Sequence, residues 1–162
     1  MNINCDSCSL PAMKKCGVGT QTIESEFHKL FPKIKLIRFD YDTTRSKKNL
    51  EKIINDFQDK KYQVLIGTQM IAKGLNFTNV DLVGIIESDF LLNYPDFRSH
   101  EKYYQLIKQV SGRAGRSNSR GKVVLQTDYI HNYLHNRLVD NNYRDFYNFQ
   151  LSQRKEFNYP PF

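Results

Sequence analysis

Two stretches of this sequence carry residue types at spacings suited to holding a phosphate. In Gln109-Val110-Ser111-Gly112-Arg113-Ala114-Gly115-Arg116, two arginines stand three residues apart, each preceded by a glycine, beside a glutamine and a serine. Glycines keep such a turn bare enough to lie against a second surface, and two guanidiniums can converge on one γ-phosphate. Glycines that end a helix and arginines that complement its dipole would explain basic residues here. They would not explain the repeated Gly-Arg next to Gln and Ser. The second stretch, Gly67-Thr68-Gln69-Met70-Ile71-Ala72-Lys73-Gly74, follows the apolar run Tyr62 to Ile66. Gly67 and Gly74 let backbone amides approach a polyanion, Thr68 and Gln69 add short polar groups, and Lys73 adds a charge. An ordinary strand-to-helix turn has a similar composition, so the arginine turn is the more specific signal.

Missing motifs bound the reaction. No G-x-x-x-x-G-K-[ST] occurs, so no loop here cradles phosphates and brings lysine and Mg²⁺ to them. Glu87-Ser88-Asp89 follows a strand-like run, but the Asp-Glu pair that would complete magnesium binding is absent. Arginines suited to a γ-phosphate without a phosphate loop describe one wall of a site whose other wall lies elsewhere. That is half of a two-lobed ATPase.

The elements that must position these residues alternate. Ile23, Phe27 and Leu30 mark an amphipathic helix ended by Pro32, and Lys35 to Asp40 reads as a strand. Leu50, Ile53, Ile54 and Phe57 form a helical stripe. Tyr62 to Ile66 and Leu82 to Ile86 read as strands buried on both faces of a parallel sheet. Tyr103, Leu106, Ile107 and Val110 mark a further helix, and Lys122 to Gln126 a fourth strand. Right-handed crossovers then give an α/β fold with a parallel sheet flanked by helices. Beyond residue 131, Leu134, Leu138, Tyr143, Phe146, Tyr147 and Leu151 at helical spacing predict helices whose aromatic stripe packs into the core on the sheet. Tyr159-Pro160-Pro161-Phe162 leads the chain into something further.

Composition narrows the partner. The 162 residues carry 24 Lys and Arg against 17 Asp and Glu, a net +7, which favours a polyanion. Seven basic residues lie between Arg98 and Lys122 with only Glu101 opposing them, and seven more between Lys29 and Lys48 face Asp40 and Asp42. A solvated basic face is the plain alternative. No apolar run has the length of a membrane span and no signal peptide is evident, so no membrane association and a cytoplasmic, reducing location are expected. Three cysteines crowd the first tenth of the chain, which argues against a disulfide framework. Cys5-x-x-Cys8 suits two thiolates on one zinc ion, but a tetrahedral site needs four ligands, and only Cys16 and the more distant His28 are at hand. Half of a divided zinc site is the expectation.

Gly67 to Val80 and Gln109 to Arg116, which contain the two phosphate-directed stretches, resemble motifs V and VI of superfamily 2 helicases, in the form carried by the PriA family of primosomal replication-restart DNA helicases. The resemblance extends through Cys5-x-x-Cys8, Gly17-x-Gly19-Thr20-Gln21, Leu30-Phe31-Pro32, Asp42-Thr43-Thr44-Arg45, Pro95-Asp96-Phe97-Arg98 and Tyr159-Pro160-Pro161-Phe162, in family order and over nearly the whole chain. Asn76 stands where relatives frequently have Asp. The resemblance implies a RecA-like helicase C-terminal lobe, incomplete at its N-terminal edge. It assigns residues 1–18 to the remnant of a zinc-binding insertion, 19–130 to the lobe, and 131–162 to helices leading to a further C-terminal domain.

It further implies 3′ to 5′ DNA unwinding driven by ATP with Mg²⁺, the nucleotide being shared with a first lobe, in replication restart and primosome assembly. Single-stranded and forked DNA, single-stranded-DNA-binding protein and other primosome proteins would be partners. By position, Arg113 and Arg116 would contact the γ-phosphate, with Arg116 the better arginine finger, and Gln109 would couple nucleotide to lobe. Gly67, Thr68, Gln69, Lys73 and Gly74 would link DNA to the ATP site. Thr43, Thr44, Arg45 and Arg98 would contact DNA, and Cys5 and Cys8 would ligate Zn²⁺. Alternatives are another superfamily 2 helicase lobe or a non-enzymatic zinc- and nucleic-acid-binding module. The chain alone is expected to show no ATP turnover, because phosphoryl transfer needs the lysine and Mg²⁺ of a phosphate loop. A phosphate-release assay checks this, and turnover abolished by Arg116→Ala would overturn the half-site argument.

Overall fold

The computed structural model describes residues 18–72, 75, 77, 80–115 and 121–162. The elements run α1 (Thr20–Leu30), β1 (Leu36–Phe39), α2 (Lys47–Gln58), β2 (Val64–Gly67), β3 (Leu82–Ile85), α3 (Ser99–Ser111), β4 (Lys122–Leu125), α4 (Tyr133–Val139) and α5 (Tyr143–Glu156). Single 3-10 turns cover Gln69–Ala72 and Ser88–Phe90. The expected alternation of helix and strand is present, and side-chain caps explain the starts of α2, α4 and α5. Ser46 caps α2 by accepting from the Asn49 N–H at 3.2 Å. Asn132 and Asn142 do the same for α4 and α5, through Leu134 N–H at 2.9 Å and Asp145 N–H at 3.1 Å.

Both strand pairs are parallel. Leu36 to Phe39 pair with Val64 to Gly67, and Leu82 to Ile85 with Lys122 to Leu125. Among the described residues these are two two-stranded sheets and not one continuous sheet. After β2 the backbone coils into a 3-10 turn, and among the described residues no ladder passes from β2 to β3. The Val18 N–H, just before α1, bonds a carboxylate oxygen of Glu87, just after β3, at 2.7 Å.

Two cores result. One gathers Leu36, Phe39, Ile53, Ile66, Ala72 and Phe77 around β1 and β2, with Phe57 and Phe77 edge to face at 5.4 Å. The other joins Tyr103, Tyr104 and Ile107 of α3 to Leu134 of α4 and Phe146 of α5, with Ile85 and Leu125 packed against it. Tyr104 and Phe146 stack with centroids 4.2 Å apart. Three expectations are corrected here. Leu82 and Val124 are 60% and 58% exposed, because side chains alternate along a strand and this core covers only one face of β3 and β4. Leu30 is 71% exposed at the end of α1. Tyr143 and Tyr147 are also about half exposed, since α5 turns only one side toward α3.

Within the helical core the Tyr104 hydroxyl is buried without a hydrogen-bond partner among the described residues, whereas Tyr103 and Tyr133 are paired. The Tyr103 hydroxyl lies 2.8 Å from Nε2 of His135, whose Nδ1 lies 2.8 Å from the Tyr129 carbonyl. A carbonyl only accepts, so in the neutral ring Nδ1 carries the proton and Nε2 accepts from Tyr103. Nearby, Nδ1 of His100 meets the Tyr133 hydroxyl at 3.1 Å, and Gln150 donates to that hydroxyl at 2.5 Å. Burial lowers the His100 pKa from its ordinary 6.5 and pushes Tyr133 up to about 12.

A depressed histidine pKa means that the unfolded chain takes up the proton first. Stability contributed by neutral His100 is therefore complete above 6.5 and lost as the pH falls through and below it. His100→Gln, which does not titrate, is expected to flatten that part of the decline in a urea-denaturation series across this range.

Candidate functional site

The loop after β2 begins at a residue that has to be glycine. A Cβ on Gly67 would run into the Phe39 carbonyl oxygen of β1 and the Ile71 side chain. The chain then closes a tight turn, with the Thr68 carbonyl accepting from the Ile71 N–H at 3.0 Å and its hydroxyl from the Met70 N–H at 3.5 Å. Thr68 and Gln69 are exposed at the carboxyl end of a parallel strand, where α/β folds gather ligands. Ala72, at the end of the turn, is fully buried.

From the other side, α3 ends at Ser111 and unwinds. The N–H groups of Gly112, Arg113 and Ala114 still reach back to Lys108, Val110 and Ser111 at 3.0, 3.0 and 3.2 Å. Gly115 then takes a left-handed conformation, φ 74°, and its N–H donates to the Val80 carbonyl at 2.9 Å. The half-buried Arg113 extends across the gap. Its Nη2 donates to the Ala72 carbonyl at 2.9 Å and its Nη1 to the Leu75 carbonyl, while Nε is buried without a partner. The two motif stretches thus meet through one guanidinium and one backbone bond. Gln109 lies exposed on α3. Lys73, Gly74, Asn76 and Arg116 lie outside the described residues, as do Cys5, Cys8 and Cys16.

The Asp42-Thr43-Thr44-Arg45 stretch forms the turn between β1 and α2. Thr43 donates its N–H to Asp40 Oδ1 at 3.0 Å and accepts the Asp40 N–H at 3.0 Å, while the Thr44 hydroxyl donates to the Asp40 carbonyl at 2.6 Å. The Thr20 hydroxyl at the start of α1 reaches Asp40 Oδ2 at 2.8 Å, and Arg38 forms an ion pair with it at 3.0 Å. Burial alone would raise the Asp40 pKa. Bonds from Thr43 and Thr20 and the Arg38 charge more than offset it, so the carboxyl sits below its usual range. The role of Asp40 was missed in the sequence, although an acid followed three residues on by threonine is a known turn signal. Arg45 is exposed, bridged to Asp42 at 2.8 Å and lying 5.9 Å from the Tyr41 ring centroid.

Arg98 stands at the start of α3, exposed, with its N–H on Asp96 at 2.8 Å. Lys102 donates to the same carboxylate at 2.5 Å and, with the Arg98 N–H, holds it well below the usual range. Phe97 stacks on Tyr159 with centroids 5.1 Å apart, and the Arg154 guanidinium lies 5.0 Å from its ring centroid. Arg154 also bonds Glu101 and the Pro160 carbonyl. The Pro95 to Arg98 and Tyr159 to Phe162 segments therefore pack together at the opposite end of α3 from the arginine turn. Among the described residues no group of three or more His, Cys, Asp or Glu is placed to hold a metal ion, and no helix is long and apolar enough to cross a membrane.

Residues 13–118 match the family described as helicase conserved C-terminal domain, and the chain belongs to that family. The replication restart protein PriA of Bacillus subtilis is 44% identical over 98% of this chain, that of Haemophilus influenzae 42% and that of Synechocystis 40% over the same share. The resemblance to replication-restart helicases drawn from the motifs is borne out. The chain spans 20%, 22% and 19% of those three proteins' lengths, about a fifth. A solved structure, the C-terminal domain of the DEAD-box protein Dbp5, matches 80% of this chain and 66% of its own at a TM-score of 0.48 and 17% identity.

The geometry of the arginine turn is testable by stability. Gly115→Ala places a Cβ in a left-handed conformation and is expected to cost about 1 to 2 kcal/mol in urea denaturation. Gly112→Ala should cost less, since φ there is −66° and its Cβ would meet the nearest atom, the Lys108 carbonyl oxygen, at an ordinary 3.4 Å.

Proposed function

We propose that this chain is the second motor lobe of an ATP-dependent DNA helicase that unwinds 3′ to 5′ in replication restart and primosome assembly. The observation that carries the reading is the junction of the loop after β2 with the turn after α3. These are the two stretches that resemble the helicase motifs, and they are bonded to each other through Arg113 and Gly115. The likeness of nearly the whole chain to three replication restart proteins supports the particular pathway.

In this reading ATP with Mg²⁺ lies between the lobe and a first lobe that supplies the phosphate loop. Arg116 is the arginine finger on the γ-phosphate. It is the stronger choice because two donor groups of Arg113 are already engaged by carbonyls of its own chain. Gln109 couples the nucleotide to α3, and Thr68, Gln69, Lys73 and Gly74 relay between nucleotide and DNA. The exposed Arg45 and Arg98 contact the DNA backbone. Thr43 and Thr44 act beneath them by setting the turn that presents Arg45, consistent with their hydroxyls bonding inward. Cys5 and Cys8 supply half of a zinc site, and single-stranded-DNA-binding protein and primosome proteins are partners in the cytoplasm.

In the complete protein, Arg116→Ala is expected to lower DNA-stimulated ATP turnover by on the order of 10³ to 10⁵ while leaving single-stranded DNA affinity nearly intact. Arg116→Lys should rescue poorly, because it keeps the charge without the planar fork. Equal losses of turnover and DNA affinity in one preparation would make Arg116 a DNA contact and overturn the assignment.

A further inference from the structure

We infer that Asp40 is a positioning residue for the binding of single-stranded DNA, a buried acid that strengthens binding by setting the turn that presents Arg45. All four polar groups of Asp40 are engaged. Its N–H donates to the Thr43 hydroxyl and its Oδ1 accepts the Thr43 N–H, both at 3.0 Å. Its carbonyl accepts the Thr44 N–H at 3.0 Å and the Thr44 hydroxyl at 2.6 Å. Its Oδ2 accepts the Thr20 hydroxyl from the start of α1 at 2.8 Å and forms the ion pair with Arg38 at 3.0 Å.

A turn from a strand into a helix does not require a buried charge, and burying one is costly unless it is paired. Asp40 holds Thr43 and Thr44 from the inside, so the next residue faces outward: the Arg45 side chain is 70% exposed, beside the exposed ring of Tyr41. Ser46 then caps α2 through the Asn49 N–H, which fixes the far side of the turn. Lys47 and Lys48 follow, both exposed. The charge of Asp40 is met by Arg38, which is largely buried and also pairs with Glu24 at 3.3 Å. Asp40 therefore orders the turn without neutralising Arg45.

This gives the inference a sign. Removing an acid raises the net charge, which by itself strengthens binding to a polyanion. Loss of a positioning acid weakens it.

The inference rests on the proposed reading of Arg45 as a DNA contact, and the experiment separates the two. Oligothymidylate binding by the complete protein is followed by fluorescence anisotropy for wild type, Asp40→Ala, Arg45→Ala, Arg98→Ala and Asp40→Ala combined with each arginine variant. Asp40→Ala and Arg45→Ala are each expected to weaken binding about fivefold, and together still about fivefold, because the second change removes a contact that the first has already misplaced. Arg98, at the start of α3, shares no bonding partner with Asp40 among the described residues, so there the two losses should multiply. Binding by Asp40→Ala as tight as wild type or tighter, or losses that multiply with Arg45→Ala, overturns the inference and leaves Arg45 as a contact.

If Asp40→Ala does not fold, Asp40→Asn should show the same pattern, since its amide keeps an acceptor for the Thr43 N–H but loses the charge that pairs with Arg38. Hydrogen exchange judges the turn apart from DNA. The Thr43 and Thr44 amides are expected to exchange about tenfold faster in Asp40→Ala than in wild type. Unchanged exchange there, or exchange at unfolded-chain rates in the wild type, overturns the inference whatever the binding shows. Failure of the wild type to bind oligothymidylate refutes the DNA reading, and the inference for binding falls with it while the exchange result stands.

Discussion

A buried carbonyl in the turn that follows a parallel strand needs a donor, and much of this structure is arranged around supplying one. The loop that leaves β2 presses Ala72 into the interior, where an unpaired carbonyl costs about 1 to 3 kcal/mol. Its donor comes from Arg113, 41 residues further along the chain, which bonds Leu75 with the same guanidinium. Two features let the segments come this close. Gly67 lacks the Cβ that would strike Phe39, and Gly115 adopts the left-handed turn that returns its N–H to Val80. The turn after β2 and the arginine turn after α3 are consequently joined.

Helix α3 is the beam on which that unit is mounted. Its buried face, Tyr103, Tyr104 and Ile107, is held by α4 and α5 through the Tyr104 and Phe146 stack and the Tyr103 and His135 pair. Its N-terminal end is gripped by Asp96, and the neighbouring Phe97 and Arg154 are joined to the last residues of the chain. A helix fixed at its start and along its length delivers its C-terminal turn to one place. The helices after β4 thereby bear on that turn through α3.

The basic surface is lightly tied. Arg45 with Asp42 and Lys29 with Glu26 are pairs of exposed side chains, at 2.8 and 2.7 Å, and such pairs contribute little in water. A polyanion can replace those carboxylates at small cost. Arg38, by contrast, is largely buried between Glu24 and Asp40, and its charge serves the joint between α1 and β1. Net charge alone does not separate these two kinds of arginine.

The sequence by itself determined the order of helices and strands, their parallel pairing, and the two stretches that carry the family likeness. Those features follow from local periodicity, proline and glycine placement and short motifs, all of which act over a few residues. Only the tertiary structure decided that Leu82 and Val124 face outward, that the strands pair as two sheets among the described residues, that Asp40 anchors the start of α1, and that Tyr143 and Tyr147 are half exposed. It also decided that the Arg113 fork meets Ala72 and Leu75. The physical reason is the same throughout. Which face of a strand is covered, and which carbonyl an arginine reaches, depends on groups tens of residues apart in the chain, and residue type reveals the capacity for such a contact without naming the partner.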